Sequence, residues 1–145
     1  MASKITMHKI ENTIAVGATT GTTYSNPIRG KILSVKILYS NTTPANTSDR
    51  DTNLFEMNPG DPTSLTNFLQ EVLNIGSLGV APTTDNNIYY PRTPCEDKTG
   101  TSLKYLSTDA SIVPTEMVVF GRLMLSVTAA AAGDITTAYI MTEEY

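Results

Sequence analysis

Residues 121–142 read GRLMLSVTAAAAGDITTAYIMT, and the two ends of this stretch decide the fold class. In the first part Leu123, Leu125 and Val127 alternate with more polar residues, which is the period of a strand that buries one face. The second part, residues 135–142, alternates as well and is rich in β-branched and aromatic residues. We therefore predict two β-strands, and the face that the second strand buries stays open.

The segment between these two strands contains Gly133, a residue type that tolerates positive φ. Two strands joined by such a loop of about five or six residues are typical of a hairpin. We therefore expect the two strands to pair with each other. Since a lone hairpin buries too little apolar surface to be stable, the rest of the chain must supply a second layer.

Further strand patterns lie along the rest of the chain. The strongest covers residues 30–40, where Leu33, Val35, Ile37 and Tyr39 share one face. Other extended segments are predicted at residues 4–17 (as one strand or two), at residues 51–58 and at residues 88–92, with a turn-rich connector over residues 17–27.

The period of the apolar residues changes after Pro62. A set of apolar residues there has the spacing of one helix face: Leu65, Phe68, Leu69, Val72 and Leu73. Asp61 is placed to act as N-cap, with Pro62 at the first helical position. This pattern predicts a short helix over residues 62–74, with a strand at residues 71–75 as the alternative.

The number of short strands and the turn signals between them indicate an all-β protein. We predict an antiparallel two-sheet β-sandwich, with jelly-roll or immunoglobulin-like connectivity, in a single domain spanning residues 1–145. Residues 1–16 could pair within the chain or add a strand to a neighbouring subunit, and the sequence leaves both open.

The chain carries few charges for its length. Charged residues make up 17% of it and the net charge is −4, whereas about a quarter is usual in soluble domains. The basic residues are scattered, which argues against nucleic acid as a partner. We find no apolar run of membrane-spanning length and no signal segment after Met1, so we expect no membrane partner and synthesis in a cytoplasm.

The residues that usually carry chemistry are sparse. His8 is the only histidine and Cys95 the only cysteine, so neither a zinc site of the usual kind nor an intrachain disulfide is expected. Residues 49–53 resemble the start of a calcium loop, but Leu54 stands where the turn glycine belongs, so we interpret them as a polar turn. The sequence therefore predicts no catalytic residues, no metal, no cofactor and no enzymatic activity.

Three blocks of the sequence together resemble small accessory virion proteins of tailed bacteriophages. They are residues 30–40, then Tyr89-Tyr90-Pro91-Arg92 with Asp97 and Gly100 behind it, then residues 121–127 with Gly133-Asp134. The resemblance covers about half of the chain. The predicted helix at residues 62–74 departs from that pattern, in which this part more often forms a strand.

The resemblance implies a structural role in the virion. On this basis the chain is expected to be a capsid decoration or cement protein that binds the major capsid protein on the outside of a tailed-phage head, as a homo-oligomer on the particle. Tyr89, Tyr90 and Arg92 are the expected docking residues, because tyrosine and arginine are enriched at interface hot spots. The alternative function is a receptor- or glycan-binding module of a phage fibre or tail.

Overall fold

The computed structural model describes residues 2–41, 50–61, 66–75, 87–94, 99 and 114–144 of the chain. Within these residues it contains strands and no helix. The strands are β1 (Lys4–Thr13), β2 (Gly21–Tyr24), β3 (Gly30–Asn41), β4 (Asp51–Met57), β5 (Phe68–Ile75), β6 (Asn87–Tyr89), β7 (Arg92–Pro94), β8 (Pro114–Glu116), β9 (Val118–Val119), β10 (Leu123–Thr128) and β11 (Asp134–Glu144). The prediction of an all-β protein is therefore confirmed.

Two antiparallel sheets form the body of the fold. Sheet I has the strand order β1-β11-β3-β6, with β9 paired to the first residues of β3. Sheet II has the order β2-β10-β4-β5, and β7 and β8 form a separate two-stranded ribbon. Which named sandwich connectivity describes this order stays a prediction.

The core lies between sheets I and II, which is the arrangement of a β-sandwich. Val35 and Ile37 of β3 and Ile140 of β11 come from sheet I, and Leu125 of β10 comes from sheet II; all four are fully buried. The open question about β11 is thereby answered. Its Thr136, Ala138, Ile140 and Thr142 face is the buried one.

The predicted hairpin between β10 and β11 is wrong. β10 pairs with β2 and β4 in sheet II, whereas β11 pairs with β1 and β3 in sheet I. The connection crosses from one sheet to the other, with Ala129 at φ 54° and Gly133 at φ 83°. Alternation reports which face of a strand is buried and carries no information on its neighbours, so the prediction failed on pairing while both strands are present.

The predicted helix at residues 62–74 is also wrong over the part that the structure describes. β5 covers Phe68–Ile75 and pairs with β4, so the alternative strand at residues 71–75 is confirmed; residues 62–65 lie outside the described residues. The register of β4 and β5 shifts at two points. Such irregularities let apolar residues appear at non-alternating positions of a strand, which imitates helical spacing.

The N-terminal segment pairs within the chain. β1 runs antiparallel to β11 without interruption from Lys4 opposite Glu144 to Thr13 opposite Ile135. The connector predicted for residues 17–27 contains β2, which pairs with β10. β1 is therefore an edge strand of sheet I and β2 an edge strand of sheet II, and the two edges meet where Asn12 bonds to Thr23.

The strand predicted at residues 30–40 is confirmed, with one change to its buried face. Met141 lies opposite Ser34 and Thr142 opposite Ile32, so Leu33 is the extra residue of a β-bulge. Ile32 is consequently the fully buried residue, and Leu33 is half-buried.

Candidate interaction surfaces

The segment interpreted as a polar turn holds a buried ion pair. Arg50 and Asp134 are both fully buried, with Arg50 Nη2 3.3 Å from Asp134 Oδ1. Arg50 Nη1 donates to the carbonyl oxygen of Ile135 (2.7 Å), Nη2 donates to that of Ser40 (2.9 Å), and the guanidinium lies 5.4 Å from the centre of the Tyr39 ring. Burial lowers the pKa of Arg50, and the carboxylate of Asp134 opposes that effect.

This ion pair joins the chain before β4 to the paired ends of β3 and β11. Asp134 also accepts a hydrogen bond from the backbone N–H of Ala131 (2.8 Å), which fixes the crossing connection. The interpretation of residues 49–53 as a polar turn is therefore wrong over the described part, because residues 51–53 belong to β4 and Arg50 is an anchor between the sheets. No group of three or more histidine, cysteine, aspartate or glutamate residues that could hold a metal occurs in the described part of the chain; Asp49 and Cys95 lie outside it.

The lone histidine takes part in a small polar cluster at the other end of sheet I. His8 Nε2 lies 3.0 Å from both Glu144 Oε1 and Thr142 Oγ1, and Thr6 Oγ1 donates to Glu144 Oε2 at 3.1 Å. These contacts join β1 to β11. The arrangement accounts for His8 as a structural residue.

The three predicted docking residues differ in their exposure to solvent. Tyr89 lies opposite Val35 in the register of β6 and β3 and packs against the core, and burial raises the pKa of its phenol. Tyr90 is 64% exposed. Arg92 is exposed, with its Nη1 donating to the Pro91 carbonyl oxygen at 2.7 Å. Tyr89 therefore contributes to packing, whereas Tyr90 and Arg92 are accessible for docking.

These two residues belong to a longer exposed strip. Ile88 is 53% exposed and precedes Tyr90 and Arg92 at the same two-residue spacing, whereas Tyr89 and Pro91 between them point inward. We call Ile88, Tyr90 and Arg92 the 88–92 strip. It begins on β6 at the edge of sheet I and ends at the first residue of β7, and it combines an aliphatic, an aromatic and a cationic side chain.

The opposite edge of sheet I also exposes apolar side chains. On β1, Ile5 is 55% and Met7 53% exposed, and Met7 lies opposite the half-buried Met141 of β11. The sequence places Ile5 and Met7 in an alternating strand, but their face is the solvent side, because Ile10 and Asn12 of the other parity are buried. The outer face of sheet I is thus apolar at both of its edges.

The outer face of sheet II carries a groove of about 380 Å³. Its floor includes the rings of Phe55 and Phe68, which stack with centroids 4.0 Å apart at an interplanar angle of 12°. Met124 and Val127 also line it, together with polar side chains that include Thr22, Asn53, Ser126 and Thr128. Sequence reasoning missed this groove because it treated Phe68 as a helix residue, whereas only a strand places it beside Phe55.

A third exposed apolar group lies where β5 meets β9. The buried Glu56 accepts hydrogen bonds from the backbone N–H of Phe120 (2.7 Å) and from Gln70 Nε2 (2.6 Å), and Gln70 also donates to the carbonyl oxygen of Val118 (3.0 Å). These bonds hold the two segments together. Phe120 (66%), Leu69 (56%) and Val118 (42%) remain exposed around them.

Comparison of the chain with models of protein families, with curated proteins and with solved structures finds no match. Among the described residues there is no helix long and apolar enough to cross a membrane.

Proposed function

We propose that this chain is a structural virion protein that binds the outer surface of a tailed-phage head as a decoration or cement protein. The observation that carries the proposal is the 88–92 strip, in which the exposed Tyr90 and Arg92, both of residue types enriched at interface hot spots, follow the exposed Ile88. The sequence resemblance to accessory virion proteins supports the same role.

The strip has the properties of a docking site on a rigid support. Tyr89 and Pro91 are turned into the fold on either side of Tyr90, so the segment is fixed from beneath. β6 pairs with β3, which in turn pairs with the central strand β11. A preorganised strip loses little conformational entropy on binding, which favours affinity.

The partner under this proposal is the major capsid protein, which a head presents in many identical copies. Repetition of the partner lets a protein with small contacts bind tightly once it engages more than one copy. Exposed apolar residues at both edges of sheet I fit such a setting, because clustered apolar residues on a protein surface mark places that another protein covers. The protein acts by binding and performs no reaction.

The test is a binding experiment with purified protein and phage heads that lack it, read by sedimentation and band densitometry. We expect saturable binding at a fixed ratio to the capsid subunit. Tyr90→Ala and Arg92→Ala should each weaken binding by about tenfold or more, the effect of a hot-spot residue. Val16→Ala is the matched control, since Val16 is 97% exposed in the loop after β1 and away from the strip. Absence of binding to heads would overturn the proposal.

A second function has an observation of its own, the groove on sheet II. Stacked aromatic rings beside hydroxyl and amide groups are the side chains that bind sugars, which present apolar C–H faces and many hydroxyls. In this case the chain is a glycan-binding module of a fibre or tail. Binding to a glycan array that is lost in Phe68→Ala and Asn53→Ala, with heads left unbound, would select this function over the first.

A further inference from the structure

Strand β1 forms the edge of sheet I opposite to β6. Among the residues that the structure describes, β1 has a ladder partner on one side only, β11. It is ten residues long and contains no proline. Long edge strands without proline are templates for pairing with another chain.

The backbone of β1 shows which of its residues face the open side. The N–H of Ile14 donates to the carbonyl oxygen of Asp134 at 2.9 Å, and Ile14 continues the register that places Thr13 opposite Ile135. In an antiparallel ladder, hydrogen-bonded and non-hydrogen-bonded pairs alternate. The even-numbered residues of β1 therefore bond to β11, and the odd-numbered ones direct their N–H and C=O groups outward.

The same odd-numbered residues carry the exposed side chains of the outer face. Ile5 and Met7 are more than half exposed, and the charged pair Lys9 and Glu11 follows only in the second half of the strand. Natural edge strands are commonly protected by charged side chains, especially lysine. The first half of β1 has no such charge on this face.

The second half of β1 is occupied by contacts within the chain. Asn12 Nδ2 donates to Thr23 Oγ1 of β2 at 3.0 Å, where the edges of the two sheets meet. Available pairing surface is therefore concentrated around residues 3–9.

We propose that β1 pairs antiparallel with β1 of a second copy of this chain, across a two-fold axis at Thr6. This register places Ile5 opposite Met7 of the second copy and Met7 opposite its Ile5, both at hydrogen-bonded positions. Ser3 and Lys9 form the next hydrogen-bonded pairs outward.

The choice of register follows from the side chains. Only registers that pair odd-numbered residues with odd-numbered ones satisfy the outward backbone groups. An axis at Met7 would set the Lys9 ammonium opposite Ile5, and an axis at His8 would set Glu11 there. The axis at Thr6 gives two apolar cross-strand pairs, which are the favourable kind.

The paired β1 strands join the two copies of sheet I into one continuous sheet. Met141 of each copy lies beside its own Met7, so two apolar rows cross the new junction. Unlike a face-to-face contact, this association satisfies backbone groups as well as covering side chains. The inference does not depend on the proposed function.

The first test is sedimentation velocity of the full chain over a range of concentrations. We expect a dimer, and Ile5→Lys should raise its dissociation constant by about tenfold or more, because two ammonium groups then face apolar partners. Met7→Pro should do the same, since it removes an outward N–H and leaves the bonds to β11 intact. Val16→Lys and Ile88→Lys are the matched controls and should remain dimeric.

A second test reads the register directly. Residues at a non-hydrogen-bonded antiparallel pair lie about 4.5 Å apart between Cα atoms, within the range of a disulfide. In a Cys95→Ser background, Thr6→Cys should form an intermolecular disulfide on mild oxidation, and Glu11→Cys should not.

The outcomes separate edge pairing from other forms of association. A wild-type chain that stays monomeric at millimolar concentration overturns the proposal. A dimer that Ile88→Lys dissociates and Ile5→Lys does not is held together by another surface and overturns it too. If Met7→Pro fails to fold, Ile5→Lys and the disulfide decide.

Discussion

Gly30 is a position where a single methyl group decides whether β3 can begin. Its φ is +152°, and a Cβ placed there would meet the backbone carbonyl of Glu143 closer than real Cβ atoms approach. Since a backbone group of a central strand cannot move aside cheaply, we expect Gly30→Ala to destabilise the fold by about 2 kcal/mol or more.

Gly17 offers a matched control for this substitution. It also has a positive φ, of +80°, but nothing lies within 4 Å of a Cβ added there. Gly17→Ala should therefore carry only the conformational cost, about 1 kcal/mol. Urea unfolding of both variants measures the difference, and equal losses of stability would show that the close approach to Glu143 is unimportant.

Arg50 and Asp134 should behave as one unit. Asp134→Asn leaves a buried guanidinium without its counter-charge, so we expect a loss of about 3–5 kcal/mol. Arg50→Met strands the carboxylate and should cost a similar amount. The double variant should lose clearly less than the two single losses added together, because it buries no unpaired charge. A double-mutant cycle by urea unfolding measures this coupling, and additive losses would contradict it.

Tyr39 links ionisation to stability at high pH. It is fully buried and donates a hydrogen bond to Thr52 Oγ1 across the two sheets at 3.2 Å. Burial raises the pKa of its phenol above the ordinary value of 10.0. The neutral form is favoured in the fold, so the stabilisation is complete below pH 10 and is lost as the pH rises above 10 towards the folded-state pKa.

We therefore expect the free energy of unfolding to fall with pH above 10, and to fall less steeply in Tyr39→Phe. That variant should lose about 1 kcal/mol at neutral pH with its hydrogen bond. Tyr89→Phe is the control. Burial raises the pKa of Tyr89 as well, but Tyr89 is only half-buried, so its replacement should change the alkaline slope less than that of Tyr39. An unchanged alkaline slope in Tyr39→Phe would show that another group controls the transition.

At the scale of single elements, the sequence was informative about strands and uninformative about their partners. The alternation in residues 121–128 and 30–40 identified β10 and β3, because a strand that buries one face has apolar residues at every second position. Pairing depends on residues far apart in the chain: Arg50 meets Asp134, and β11 takes β1 and β3 as neighbours in place of β10. No local pattern encodes such contacts.

The candidate sites also differ in whether a local sequence pattern or a contact between distant residues creates them. Tyr90 and Arg92 were predictable as exposed residues beside a short extended segment, and the structure adds Ile88 to them. The groove on sheet II was not predictable, because Phe55 and Phe68 meet only through the irregular register of β4 and β5. The open edge of β1 required the position of β1 in sheet I to be known.

Hydrogen exchange should show the two sides of β1 separately. At low concentration we expect slow exchange for the N–H groups of His8 and Ile10, which bond to β11, and fast exchange for those of Ile5 and Met7, which face the open edge. Raising the concentration should slow exchange at Ile5 and Met7, and at Ser3 and Lys9 beside them, and leave His8 and Ile10 unchanged. Uniform protection along β1 at all concentrations would contradict the assignment of the backbone groups.

At the scale of the whole molecule, the two edges of sheet I have different proposed roles. β1 would join two copies, and the 88–92 strip would lie on β6 and the residues after it at the far side of each. The joined sheet would have eight strands in the row from β6 to β6 of the second copy, so the two strips would lie roughly 34 Å apart at the usual strand spacing. A dimer of this form could contact two capsid subunits at once, which strengthens attachment without any new contact type.

Removal of residues 1–9 tests how far the fold depends on β1. Because Lys4–Lys9 pair with β11 from Glu144 to Tyr139, we expect the truncated chain to lose roughly 3 kcal/mol or more of stability with the hydrogen bonds of that ladder. The truncation would also expose the edge of β11 beside the buried Ile140 and Thr142, and a long apolar edge promotes aggregation. Thermal unfolding and light scattering measure both effects, with Val16→Ala as a folded control. A truncated chain that keeps its melting temperature and stays monodisperse would show that the pairing of β1 with β11 contributes little to the fold.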